Sequence, residues 1–174
     1  RMPGVKIISP MTPKEYNLAY KSFMSEDEVY YVSEHRGSYD NHKELEDFLP
    51  DDVDIIIFSI SITRFEAQKV KETLKQENLK IGLANILWIK PFEIKDKWLR
   101  TLKNSKFGGI ILDDDYESGA ASDMAYQLMK LSSKKVEVMG LKNQSAGFSK
   151  KSDNLPPNEK EIIKKIKEII KKNV

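Results

Sequence analysis

The run Asp54-Ile55-Ile56-Ile57-Phe58-Ser59-Ile60-Ser61 decides the fold class. A strand with one face in water alternates apolar and polar side chains, because successive residues point to opposite faces. From Ile55 to Phe58 there is no such alternation, so the run reads as a central strand covered on both faces, the habit of parallel sheets. It is also far shorter than the roughly 20 apolar residues that cross a bilayer.

Reading outward, short β-like runs alternate with helix-period segments. After Ser61 the spacing of Phe65, Val70 and Leu74 predicts a helix from about Arg64 to Asn78, followed by a strand around Lys80 to Leu87. Pro91 is expected to open a helix carrying Ile94, Trp98, Leu99 and Leu102. Gly108 to Leu112 is the next strand, Ser118 to Leu131 the next helix and Lys135 to Gly140 a further strand. A last helix follows Pro156-Pro157, with Ile162, Ile163, Ile166, Ile169 and Ile170 on one face and lysines opposite. Before the central run, Val5 to Ser9 and Val29 to Ser33 read as strands flanking a helix. That helix starts at Thr12-Pro13 with Glu15 completing a capping box, and Tyr16, Ala19, Tyr20, Phe23 and Met24 form its stripe. Gly37, Ser38 and Pro50-Asp51-Asp52 mark a connection between the two parts. The alternation predicts an α/β fold with a mostly parallel sheet.

Composition narrows the function. The 174 residues carry a formal charge of +2, too balanced to predict a nucleic-acid surface. There is no cysteine, which removes disulfides, thiolate metal sites and cysteine nucleophiles and is compatible with a cytoplasmic setting. The closing helix is basic, but its lysines and glutamates leave only a small excess and its apolar face lacks an aromatic residue. It reads as a cover for the sheet, with no membrane role.

Chemistry-bearing motifs are few. Gly108 to Asp115, GGIILDDD, is an apolar run emptying into three carboxylates at the end of a strand, where α/β proteins place working residues. One reading is a receiver-like or other free-standing α/β binding module in which Asp113 to Asp115 hold magnesium. Against it, adjacent residues on an extended segment point apart, whereas magnesium needs converging oxygen ligands. Structural duty at the strand end therefore fits these residues better, with one carboxylate favoured by the dipole of the following helix. His35 and His42 share one polar connection and lack the spacing of a helical zinc pair. No Walker A motif, dinucleotide fingerprint or Gly-x-Ser-x-Gly elbow is present.

The ordered set of strings resembles the carboxyl-terminal half of the transketolase family, nearest the β subunit of thiamine-diphosphate-dependent 2-oxo acid dehydrogenases. PGVKIISPMTPKEYNLAYKSFMSEDEVYYVSEHR is similar to the end of the pyrimidine-binding domain. DVDIIIFSISITRFEAQKV through LKIGLANILWIKPFEIKDKWLRTLKNSKFGGIILDDDYESGAASDMAYQL resembles the family's carboxyl-terminal domain. The chain departs from the pattern with Ser59-Ile60 in place of Gly-Ser, with Asp113 near a family glutamate, and with Ser118-Gly119 in place of a glycine pair. The resemblance implies residues 1–38 as a strand-helix-strand remnant of the pyrimidine-binding domain, 39–52 as a linker and 53–174 as a three-layer α/β/α domain. It implies thiamine diphosphate and magnesium in the complete enzyme, neither bound by this chain, because the family's Gly-Asp-Gly motif and cofactor-activating glutamate have no counterpart here. The chain is then expected to be a carboxyl-terminal piece, cut away or separately encoded. The partner is the remaining part of the enzyme or an α-type subunit, in a homo- or hetero-oligomer. His35 matches a histidine of the dehydrogenase β subunits and an arginine that contacts substrate phosphate in transketolase. His35 and Arg36 are thus expected at the substrate, and Glu34, Asp113 and Gly119 in interface or structural roles; the alternative is a helper at the seam between the two domains, with Glu34 and Arg36 as an ion pair.

Overall fold

Four parallel strands build the central sheet of the computed structural model, which describes residues 3–145 and 154–173. They are β3 (Ile55–Ile60), β4 (Ile81–Ile86), β6 (Gly109–Tyr116) and β7 (Val136–Leu141), in the order β4-β3-β6-β7. β3 and β4 are buried at every position, as the absence of alternation in Ile55 to Phe58 requires. On one face lie α2 (Thr63–Gln76) and α5 (Glu159–Lys172), whose Val70, Leu74, Ile162 and Ile166 pack on Ile55, Ile57, Ile110 and Leu112. On the other lie α3 (Asp96–Asn104) and α4 (Ala120–Ser132), whose Trp98, Leu102, Met124 and Leu128 pack on Ile56, Phe58 and Ile111. The result is the expected three-layer α/β/α arrangement.

A second sheet holds β1 (Val5–Ile8), β2 (Val29–Val32) and β5 (Trp88–Lys90) in the order β2-β1-β5. β1 and β2 are parallel, joined through α1 (Pro13–Ser25), whereas β5 runs antiparallel to β1. The strand β5 is a departure from expectation, since Pro91 does not open a helix. Trp88 to Lys90 continue as strand, residues 91–95 stay outside any helix or strand, and α3 begins only at Asp96. Pairing with β1 satisfies the backbone there, and Phe92 stacks against Trp98 with 6.5 Å between ring centroids.

The start of α1 also differs in detail. Thr12 accepts the Glu15 N–H, but the Glu15 carboxylate accepts from Met11 N–H at 2.9 Å rather than closing the box on Thr12. Along the same helix Ala19 is buried, yet Tyr20, Phe23 and Met24 are 53, 48 and 79 % exposed. The sheet stops at β2, so this side of the stripe overhangs its edge. The connection between the two sheets is pinned throughout: Asn41 donates to Met11 O, Glu44 accepts from Lys14 N–H, and Asp47 accepts from Asn85 N–H and from Trp98 Nε1 at 2.7 Å.

Candidate functional site

The chain leaves β3 toward β4 on one side and returns to place β6 on the other, so the strand order reverses between β3 and β6. In open α/β sheets the crevice at the carboxyl ends of two such strands is where ligands bind. Here β3 delivers Ser61 and β6 delivers Asp113 and Asp114. The turn after β2 brings His35 from the other sheet.

Asp113 to Asp115 lie within β6, not beyond it, because the strand runs on to Tyr116 and its register with β7 shifts after Leu112. Alternation then sets Asp114 on one face and Asp113 and Asp115 on the other. Asp113 is buried at 4 % exposure and accepts the Asp115 N–H at 3.1 Å. Burial pushes its carboxyl up to about 6, the neighbouring Asp114 and Asp115 charges add to that, and the Asp115 N–H opposes it. Asp114, on the opposite face, is half-buried. Desolvation raises its pKa, while the Ser61 hydroxyl and the charge of His35 act the other way. Asp115 is exposed, and its side chain accepts the next N–H, that of Tyr116. Gly119 makes the turn into α4: its N–H donates to Tyr116 O at 2.8 Å, and a Cβ there would stand 2.9 Å from that oxygen.

His35 is half-buried and caps the short 3-10 turn Arg36–Ser38, its Nδ1 accepting the Gly37 N–H at 3.0 Å. The turn is tied further by the Ser38 hydroxyl, which donates to His35 O at 2.7 Å and meets Tyr16 OH at 2.9 Å. Glu34 and Arg36 are exposed and form no ion pair with each other. His42 is exposed in the connection, apart from the crevice. Sequence reasoning missed that Ser61 and Asp114 stand at the carboxyl ends of neighbouring strands, since neither carries a signal without knowing that β3 and β6 pair. It missed as well the pair beneath the site, where Arg64 of α2, fully buried, grips Glu15 of α1 with Nη1–Oε2 at 2.6 Å and Nη2–Oε1 at 3.0 Å.

Chemically, this edge offers carboxylates and one imidazole. Among the described residues no three aspartate, glutamate, histidine or cysteine side chains converge to hold a metal ion. The described residues thus offer no carboxylate cluster on which a magnesium-bound diphosphate would seat.

No helix among the described residues is long and apolar enough to cross a membrane. No protein-family model matches the sequence. No curated protein matches it either. Among solved structures, a split-gene transketolase described as an inactive β4 tetramer superposes with a TM-score of 0.69 at 12 % identity, over 98 % of this chain and 58 % of that one. A 2-oxoglutarate:ferredoxin oxidoreductase from Magnetococcus marinus superposes with a TM-score of 0.54 at 17 % identity, over 75 % of this chain and 20 % of that one. The chain thus spans less than two thirds of the length of both structures, and what it shares with them is the transketolase-like fold.

Proposed function

We propose that the chain is the carboxyl-terminal portion of a thiamine-diphosphate-dependent enzyme of the transketolase or 2-oxo acid dehydrogenase β-subunit type. In this reading it supports subunit assembly and presents His35 and Arg36 at the substrate mouth. Glu34, Asp113 and Gly119 serve the seam between residues 1–38 and 53–174. Thiamine diphosphate and magnesium belong to the complete cytoplasmic enzyme and are held by its remaining part or an α-type subunit. The cofactor supplies the carbon chemistry, and this chain contributes shape and contacts.

The observation that carries the reading is a likeness in fold that runs through both sheets and the connection between them, over 98 % of the chain. A three-layer domain alone would be shared by many unrelated functions. A magnesium-binding receiver-like module draws no support from Asp113 to Asp115, because Asp114 lies on the opposite face of β6 from the other two and no three such side chains converge among the described residues. Calorimetric titration of the isolated chain with thiamine diphosphate and magnesium tests the proposal: no saturable heat is expected. Binding near micromolar affinity, about 8 kcal/mol, would overturn the division of labour.

A further inference from the structure

At the amino end of β4, opposite the crevice, the edge of the central sheet is left incomplete. The connection reaches that edge at Phe48, which exchanges both backbone hydrogen bonds with Leu83, at 2.9 and 2.7 Å. The next pair of this antiparallel bridge would set residue 50 against Ile81, but Pro50 has no N–H to give. The chain bends away at Asp51 and Asp52 instead, and between this bend and the second half of α2 lies a cavity of about 600 Å³. Phe48, Pro50, Leu79 and Ile81 supply its apolar lining. The Phe48 ring is held by Lys71, whose Nζ stands 4.7 Å from its centroid. Around the mouth are three lysines and three carboxylates, four of which answer one another: Lys71 meets Glu72 at 3.0 Å, and Lys80 meets Asp52. Lys75 and Asp51, both exposed, form no ion pair among the described residues.

We infer that this cavity is a binding site for a free α-amino acid with a large apolar side chain. The side chain fills the apolar interior, the carboxylate pairs with Lys75 and the ammonium with Asp51. A mouth with one unanswered charge of each sign complements a zwitterion, whereas a singly charged ligand leaves one of the two unmatched. The volume lies within the roughly 300–1,000 Å³ of small-molecule sites, and an apolar interior with a few placed charged groups is their usual composition. The site stands at the other end of the sheet from His35, so it holds whether or not the chain belongs to a thiamine-diphosphate-dependent enzyme.

Titration of the full chain with L-phenylalanine, followed in proton–nitrogen spectra, tests the inference. Saturable shifts are expected at residues 48–52 and 71–81. Phenylalanine amide lacks the carboxylate and hydrocinnamate lacks the ammonium, and each should bind about tenfold more weakly. Lys75→Gln should abolish the preference over the amide and keep that over hydrocinnamate, and Asp51→Asn should do the reverse. Both side chains are exposed, so the variants should fold as the native chain does. Absence of saturable shifts in these two segments, or equal binding of the three compounds, would overturn the site. Preferences that survive both substitutions would overturn the roles of Lys75 and Asp51, and with them the zwitterion.

Discussion

Asp113 shows how one buried carboxyl can be recognised by its pH dependence. Its folded pKa is raised from an ordinary value near 3.8 to about 6, chiefly by burial. Between those values the native state keeps a proton that the unfolded chain has lost, so stability falls as pH rises through the window. Above it the accumulated cost approaches roughly 3 kcal/mol, since one pKa unit is about 1.4 kcal/mol. Asp113→Asn keeps an oxygen for the Asp115 N–H and removes the charge. It should stabilise the domain by about 1–3 kcal/mol at pH 7.5 and by nothing below about pH 4. Urea melts across that range decide it, and a gain independent of pH would mean that ionisation is not the cause. Arg64 presents the opposite problem, a guanidinium at 0 % exposure whose Nη atoms are matched to Glu15 while its Nε is unpaired. Glu15→Ala strands that charge and should cost about 3–5 kcal/mol, whereas replacing both residues by methionine should be far milder. Equal losses from the single and double variants would contradict this account.

Among the elements, α5 joins most plainly to its sequence. Asn158 and Glu161 form a reciprocal capping box, and Ile162, Ile166 and Ile169 are buried on the α2 side of the sheet. Asn158→Ala should cost about 1 kcal/mol and Ile166→Ala about 2–5 kcal/mol, measured by chemical denaturation. A near-silent Ile166 variant would mean that the helix is not the cover it appears in the fold. β3 and α5 were legible because a run without alternation and an apolar stripe are local signals. Elements settled by distant partners were not. Trp88 to Lys90 became strand because β1 lies beside them, and α3 waited until Asp96 despite Pro91. The site divides in the same way: His35 at the exit of β2 and three carboxylates following the run Gly108 to Leu112 could be read from sequence. That Ser61 and Asp114 close neighbouring strands follows from strand order, and burial of Arg64 from the approach of α1 to α2. An arginine on an amphipathic helix otherwise reads as a solvated residue.

For the whole molecule, the two sheets differ in completeness. The central sheet is covered on both faces, whereas the parallel pair β1–β2 leaves one face open. Register places Val5 beside Val29 and Ile7 beside Tyr31, so all four lie on one face, where Val29 and Tyr31 are 63 and 59 % exposed. Parallel strands are ordinarily buried on both faces, and β2 is also a free edge with Tyr20 and Met24 of α1 exposed on the helix that joins it to β1. The proposed assembly accounts for this asymmetry if the cofactor-bearing partner covers that face and extends the sheet past β2. Tyr31→Glu and Met24→Glu then have separable consequences. In the isolated chain both side chains reach water, and each substitution should change stability by no more than about 0.5 kcal/mol. In the assembly each would bury an unpaired carboxylate, a cost of several kcal/mol that a typical interface does not tolerate. Light scattering of the chain with its partner should therefore show complex for the native protein and separate components for the double variant, at an unchanged melting temperature. Retention of the complex by a well-folded double variant would place the partner elsewhere and leave the open face unexplained.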